Sequence, residues 1–460
     1  MTIIHEFEVF SKRDGVYIII FPDIPFWMST TIDGYNFLCN IQKYKDIDTA
    51  ISNTFDSNIY RKKDIEIFLS TLINTGILDD GIDVANSKSD IKPLFPNKVT
   101  FLQTMKCNLA CRHCCVSDMK KDYDMNFETA KIVLKRCLYL MADGKKYLSF
   151  LGGEPFCGDK FPELLEYAVS LGYEVGISTN AMLIDETFAK FAFNNNINVQ
   201  ISIDGTNQLE HEFIRGKGTW RKTINAIKLL VEYNVDIQTN FVYNKLNMAN
   251  LEKYFDLMKN LGVKKIRLTP LMNMGRAKDN LERVPLDDFI EHIYEIISRR
   301  EDLLDYIDET TFMGLVMNAR FSGKMISCGA GIITITISPE GDIYPCLNLY
   351  DDKFKISNIL TENYIDEFKT SQTRKRLSES NIDNINNICS ECNIRYFCGG
   401  KCRGETFQET GDITLPYPYC HEMKRALEKI FWILTENPNL GERKEKEISN
   451  RINQYMELWH

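Results

Sequence analysis

Between about residues 98 and 318, short β-branched runs alternate with amphipathic stretches of helical period, and this alternation narrows the possible folds more than any other feature of the chain. The strand-like runs are 98–103, 146–151, 174–179, 198–203, 236–242 and 265–269; the stretches 129–134 and 224–230 between them carry apolar residues at helical spacing. Strand, helix and strand in that order predict a parallel sheet with helices outside. Six strands suit an α/β fold built on a partial (β/α)6 TIM-like barrel, in which ligands sit at the carboxyl ends of the strands.

At 460 residues the chain is long enough for about three domains. Its formal charge is 55 − 64 = −9, so it lacks the broad basic field that nucleic-acid binding requires. Arg299-Arg300 and Arg374-Lys375-Arg376 read as solvated helix faces. The start lacks a basic region leading into an apolar stretch, and no run of spanning length follows, which predicts a cytoplasmic protein with no membrane partner. In that compartment 14 cysteines are thiols, and metal ligation is the economical use for them.

Three of them, Cys107, Cys111 and Cys114, form a C-x3-C-x2-C loop directly after the first strand. Three thiolates on one loop can hold an iron–sulfur cluster and leave one iron open. A zinc knuckle using His113 or Cys115 is the competing reading. Cys39 and Cys137 fall in helical apolar patterns as core residues; Cys115 and Cys157, near the loop, are read as packing.

Polar motifs follow at the next strand ends: Gly152-Gly153-Glu154-Pro155, Ser178-Thr179-Asn180 and Ser202-Ile203-Asp204-Gly205, then Arg215 within Phe213-Ile214-Arg215-Gly216. Singly these are ordinary turns. In this order behind the cysteine loop they resemble the radical S-adenosylmethionine (radical SAM) superfamily. The resemblance implies that Cys107, Cys111 and Cys114 hold a 4Fe-4S cluster whose open iron takes the amino and carboxylate groups of SAM. Gly152, Gly153, Glu154 and Pro155 would bind the SAM amino group, and Ser178, Asn180, Ser202 and Asp204 would reach its ribose and carboxylate. Arg215 would pair with the carboxylate, and His113, where the family commonly has an aromatic residue, would stack over adenine.

Seven later cysteines, Cys328-x12-Gly341-x4-Cys346, Cys389-x2-Cys392-x5-Cys398-x3-Cys402 and Cys420, resemble the SPASM pattern of radical SAM peptide and protein maturases. Carried over by position, Cys328, Cys346 and Cys402 would bind a first auxiliary cluster, and Cys389, Cys392, Cys398 and Cys420 a second, for three 4Fe-4S clusters in all. No thiol occurs in 329–334, so the first auxiliary cluster is expected to keep an iron open to a substrate thiolate or water; completion by a residue distant in sequence is the alternative. A zinc site of Cys389, Cys392, Cys398 and Cys402 would leave Cys328, Cys346 and Cys420 unexplained.

Runs at 6–10 and 16–21 flank a hairpin signal ending in Asp14-Gly15; a third run at 25–30 and helical patterns at 33–42, 47–55 and 62–76 follow. Three strands and three helices resemble the PqqD-like winged-helix element of peptide maturases, which takes a leader peptide as an added strand. A DNA-binding winged helix would need a basic exposed face, whereas Arg61, Lys62 and Lys63 give way to acids. The expected organisation is a leader-recognition domain at 1–86, a linker at 87–97, the barrel at 98–318, a SPASM domain at 319–435 and a charged helical extension at 436–460.

Taken together, the modules resemble radical SAM/SPASM maturases of ribosomally made peptides. Cys328-Gly329-Ala330-Gly331 and Cys398-Gly399-Gly400-Lys401-Cys402 are similar to segments of the thioether-forming, sactipeptide and ranthipeptide type. The resemblance implies a 5′-deoxyadenosyl radical that takes hydrogen from a peptide carbon, coupling of that carbon to a cysteine sulfur, and exit of the surplus electron through the auxiliary clusters. Partners would be a precursor peptide and an external one-electron reductant of flavodoxin or ferredoxin type. Other readings are carbon–carbon cross-linking, formylglycine formation in a sulfatase, and a non-catalytic peptide- or DNA-binding regulator. Sulfatase-maturing relatives carry aspartate after the second SPASM cysteine, where this chain has Leu347. No residue reads as a general base.

Overall fold

In the computed structural model, which describes residues 3–56, 62–79, 95–119, 123–321 and 324–442, a short strand β1 (Ile3–Ile4) precedes a three-stranded antiparallel sheet. That sheet has the order β2 (Glu8–Arg13), β3 (Val16–Phe21), β4 (Phe26–Thr31). Asp14 and Gly15 take φ of 47° and 80°, the backbone of a two-residue hairpin turn. Pairing therefore runs to Arg13 opposite Val16, beyond the strand end expected at Phe10. Helices Ile32–Tyr44, Ile47–Thr54 and Lys62–Asn74 follow, and β5 (Leu78–Asp79) returns to pair with β1.

Strand β3 has no solvent face. Tyr17, Ile19 and Phe21 pack on Phe37, Leu38 and Ile41 of the first helix, while Ile18 and Ile20 point into the main core of the protein. A strand buried on both sides needs an unbroken apolar run, and Val16-Tyr17-Ile18-Ile19-Ile20-Phe21 supplies it.

The barrel strands are β6 (Lys98–Phe101), β7 (Tyr147–Phe150), β8 (Glu174–Thr179), β9 (Asn198–Ser202), β10 (Ile237–Tyr243) and β11 (Lys265–Pro270). Each runs parallel to the next. Val99, Leu148, Ile177, Val199, Phe241 and Leu268 are buried in the core. On the alternate face lie half-buried polar residues: Gln200 donates to Ser178 Oγ at 3.1 Å and accepts from Arg267 at 3.1 Å, and Thr269 donates to Asn240 at 2.6 Å. A polar interior leaves room for a polar ligand where a closed barrel would stack apolar side chains.

The cysteine-rich region joins this sheet. Strand β12 (Thr334–Ile337) lies parallel to β6, with Thr334 opposite Lys98 and Ile337 opposite Phe101, and β13 (Asp342–Tyr344) and β14 (Ser357–Asn358) extend it antiparallel to nine strands. The edge of β6 that an incomplete barrel would leave bare is thereby covered. Helix Cys420–Glu436 buries Ala426, Leu427, Ile430 and Phe431 and pairs with the barrel through Arg283–Glu422 (2.6 Å) and Arg425–Asp287 (2.6 Å).

Arg374 departs from the expected solvated face. It is 4% exposed, donates to Gly331 O and Phe368 O at 2.8 and 3.2 Å, and stacks over the Phe368 ring. Arg300 is engaged by Asp256 and Asp302. Most of the expected linker, and the extension beyond residue 442, lie outside the described residues. No described helix is long and apolar enough to cross a membrane. Phe241, fully buried with its ring centroid 4.4 Å from that of Tyr254, anchors the barrel wall. Phe241→Ala should cost roughly 3–5 kcal/mol, read as a lowered denaturant midpoint at unchanged slope.

Candidate functional site at the barrel mouth

The cysteine loop leaves the end of β6 and is gripped from two sides. On one side, Gly153 N–H donates to Thr104 O (3.1 Å) and Glu154 N–H to Lys106 O (2.8 Å). A Cβ on Gly152, whose φ is +133°, would lie 2.4 Å from Thr104 O, and one on Gly153 would lie 2.0 Å from Lys106 O. These glycines thus admit the neighbouring main chain. On the other side, Arg276 donates from its backbone N–H to Cys114 O (3.1 Å) and from Nε to Cys111 O (2.8 Å). Sequence reasoning missed Arg276. Its only signal was Gly275-Arg276 shortly after the sixth strand, a strand end at which no motif was read.

Within the loop, Cys107, Cys111 and Cys114 lie close enough to influence one another's charge. Cys111 is buried, Cys114 half-buried and Cys107 exposed. Donors converge on the sulfurs: Leu109 N–H at 3.5 Å and Asn180 Nδ2 at 3.9 Å from Cys107 Sγ, and Arg215 Nη1 at 3.9 Å from Cys111 Sγ. Neighbouring thiols facing N–H donors fit an iron–sulfur cluster, whose sulfurs accept such hydrogen bonds.

Asp204 is fully buried. Its Oδ2 accepts from Arg215 Nε (2.5 Å) and meets His113 Nε2 (2.7 Å), and its Oδ1 accepts from Val242 N–H (2.8 Å). Burial alone would raise this carboxyl, but the Arg215 guanidinium and then His113 outweigh it and hold it well below the usual range. Both of its oxygens thus have protein partners. His113 is likewise held through Nε2 on this anchor. His211 Nδ1 accepts from Asp204 N–H (3.3 Å), and burial depresses that imidazole to about 4.

Glu154 accepts from Thr179 Oγ1 (2.7 Å) and Asn180 N–H (2.8 Å); burial still raises it above the ordinary carboxyl value. Asn180 Nδ2 donates to Asn108 Oδ1 in the cysteine loop at 2.7 Å. Buried Pro155 opens a single turn, Pro155–Cys157. Ser178 and Ser202 are half-buried, Ser178 toward Gln200 and Ser202 paired in register with Asn240. The structure therefore gathers His113, Glu154, Asn180, Asp204 and Arg215 about the cysteine loop, with the Ser178 hydroxyl meeting Gln200.

The later cysteines fall into two further groups. Cys346 and Cys402 are each within electrostatic reach of Cys328; Cys389 is within reach of Cys392 and Cys420, and Cys398 of Cys392 and Cys389. Cys402 thus groups with Cys328 and Cys346 rather than in the four-thiolate zinc set. Asn348 Nδ2 lies 3.4 Å from Cys402 Sγ and 3.5 Å from Met272 Sδ, tying this group to the loop after β11. Cys137 is buried in the main core, and Cys39, Cys115 and Cys157 are half-buried.

Asp204→Ala should cost roughly 3–5 kcal/mol near neutral pH because Arg215 is left buried without its counter-charge. The folded carboxyl lies below its unfolded value of about 3.9, so its stabilisation is complete above about pH 4 and is lost as pH falls through the depressed folded value. Denaturant midpoints of wild type and variant should therefore differ less at about pH 3 than near neutrality.

The radical SAM superfamily model matches residues 103–269, and an iron-sulfur cluster-binding domain, SPASM, matches 328–393. Mycofactocin maturase MftC of Mycolicibacterium smegmatis is 28% identical over 333 residues, spanning 71% of this chain and 83% of its own. A cysteine-type anaerobic sulfatase-maturating enzyme of Clostridium perfringens is 28% identical over 354 residues, 71% of this chain and 93% of its own. The structure of Streptococcus suis SuiB bound to precursor peptide SuiA shares the fold at a TM-score of 0.60 and 17% identity, covering 90% of this chain and 100% of that one. The chain carries a radical SAM domain and a SPASM iron-sulfur cluster-binding domain, the pair found in peptide-modifying enzymes, and these imply 4Fe-4S clusters and SAM.

Proposed function

We infer that this enzyme forms cysteine sulfur-to-carbon bonds in a ribosomally made precursor peptide. The observation that supports this reading is that Cys346 and Cys402 each lie within electrostatic reach of Cys328, with Asn348 Nδ2 meeting both Cys402 Sγ and Met272 Sδ at the barrel mouth. Three protein thiolates leave a cluster position for a fourth, and a substrate cysteine at that position would stand beside the radical site. Cys107, Cys111 and Cys114 would hold a 4Fe-4S cluster that, with SAM bound, would supply the hydrogen-abstracting radical. Glu154 and Asn180 border the SAM amino end. Arg215, steered by Asp204, offers its remaining N–H groups to the carboxylate. Ser178, Ser202 and His113 complete the SAM site.

The reaction balances simply. Over the net reaction one substrate C–H and one S–H would be lost and one carbon–sulfur bond formed, with SAM leaving as methionine and as 5′-deoxyadenosine that carries the hydrogen atom taken from carbon. One electron would be released; Cys328, Cys346 and Cys402, and Cys389, Cys392, Cys398 and Cys420, would hold the two auxiliary clusters that offer it a route out. A flavodoxin- or ferredoxin-like carrier supplies the initiating electron.

The N-terminal domain, read as winged-helix, is the leader site. Its β4 edge borders a cavity of about 150 Å³ lined by Thr30, Thr31, Phe55, Ile65 and Phe68, beside exposed Ile67 on the same helix. An extended leader lying along β4 would gain backbone hydrogen bonds and place side chains in that groove. Formylglycine formation is the second reading, favoured by the likeness to the Clostridium perfringens enzyme, but Leu347 stands where that chemistry's aspartate is expected.

With a precursor deuterated at the modified carbon, the product should lose two hydrogens per bond, deuterium should appear in deoxyadenosine, and a cysteine should become unreactive to alkylation. A carbon–carbon link with all thiols still reactive would refute the thioether reading. Ile65→Glu should weaken leader binding by at least about tenfold, near 1.4 kcal/mol, in fluorescence anisotropy at unchanged circular dichroism; unchanged affinity removes the groove from consideration.

A further inference from the structure

The N-terminal domain is docked onto the two segments that carry the second auxiliary group of cysteines. Asn393 and Arg395 lie between Cys392 and Cys398; Asn393 donates to Glu8 at 2.9 Å and Arg395 to Asp23 at 3.0 Å. Arg395 also donates to Cys392 O at 3.3 Å, so the residue that grips the domain braces the cysteine turn. The second segment is the helix that begins at Cys420. About two to three turns on, its Glu428 accepts from Ser11 at 2.5 Å and its Trp432 donates to the same hydroxyl at 3.1 Å. Phe431 joins the two segments. Trp27 of β4 stacks on it with centroids 4.5 Å apart, Phe10 of β2 meets it edge-on at 5.8 Å, and Phe397, next to Cys398, meets it edge-on at 5.4 Å. Trp27 Nε1 donates to Ala319 O at 2.8 Å.

The helix is held on the barrel by its buried face and by Arg283–Glu422 and Arg425–Asp287, whereas the loop has little regular structure of its own. Between Cys389 and Cys402 the regular structure is two four-residue helices, Asn387–Ser390 and Arg395–Cys398, too short to be stable in isolation. A ligand bridging Cys389, Cys392 and Cys398 to Cys420 fastens that loop to the helix, as structural metals do in small domains. The docking face is shared between loop and helix, through Asn393, Arg395 and Phe397 on one and Glu428, Phe431 and Trp432 on the other. It is therefore complete only when the two are fastened.

We propose that the Cys389, Cys392, Cys398 and Cys420 site is the positioning platform of the N-terminal domain, so that filling the site and docking the domain stabilise each other. This rests on reading the four thiols as a cluster site and is independent of which bond the enzyme makes. Linkage requires reciprocity: whatever docking adds to cluster retention, the cluster adds to docking.

The test uses the full-length protein reconstituted anaerobically with iron and sulfide. In Trp27→Ala, iron assigned to the second site by its absence from Cys389→Ala/Cys392→Ala should pass to a ferrous chelator at least about fivefold faster than in wild type, a coupling of the usual size. The radical SAM cluster, followed by its electron paramagnetic resonance signal with SAM, should be unchanged. In the reverse direction, hydrogen exchange in residues 16–31 should rise in Cys389→Ala/Cys392→Ala and stay at the wild-type level in Cys107→Ala, which removes a cluster elsewhere. Equal release rates in wild type and Trp27→Ala, or equal exchange in both cysteine variants, overturns the proposal. Iron content unaltered by Cys389→Ala/Cys392→Ala overturns it at its root by denying the cluster itself, an outcome distinct from the other two.

Discussion

One buried carboxylate holds the upper part of the barrel together. Asp204, at the end of β9, binds Arg215 on the following helix, His113 in the cysteine loop and the main chain of β10 at Val242. Such a charge is tolerable only when every oxygen is satisfied and a counter-charge lies in contact. That demand gives the cluster-binding loop its position, because His113 sits between Cys111 and Cys114 and cannot leave the anchor without moving both. The main-chain grips from Gly153 and Arg276 restrain the two ends of the same loop. A loop of few regular hydrogen bonds is thus made rigid by what surrounds it.

The second consequence of the fold is where the first auxiliary group stands. Strands β6 and β11 are the two ends of the six-stranded arc, and β12 adds to the β6 end. Cys346 follows β13 by two residues, and Asn348 then reaches Met272 just beyond β11. The cysteine-rich region therefore begins on one edge of the open barrel and touches the other edge at the mouth. The two edges thus meet there through side chains, where an eight-stranded barrel would close by strands.

Most of this was legible in the chain as order along the sequence. Strands, the cysteine loop and the polar residues at three further strand ends could be read because each depends on local residue types. What resisted reading depends on contacts distant in sequence. A Ser-x-Asp at a strand end looks the same whether the carboxylate faces a ligand or, as with Asp204, an arginine and a histidine. Gly152 and Gly153 announce a close approach but not what approaches. The alternation in Thr334–Ile337 marks a strand without saying which edge it joins, and a charged triplet such as Arg374-Lys375-Arg376 does not reveal that its first member is buried.

The segment Cys398-Gly399-Gly400-Lys401-Cys402 shows how local conformation settles a long-range question. Its outer cysteines are four positions apart, a spacing that on a helix would put both thiols on one face. Here Gly399, Gly400 and Lys401 take φ of 59°, 75° and 54°, three consecutive residues in the left-handed region. Two glycines adopt it at little steric cost, and the lysine bears roughly 1–2 kcal/mol for it. The helical path is broken, Cys398 joins Cys389 and Cys392, and Cys402 turns to Cys328 and Cys346. Two thiol groups that draw on segments widely separated in sequence are thereby joined by three residues, which span at most about 14 Å between the cysteine Cα atoms. An electron passed between cofactors held there would have a short path built into the backbone itself.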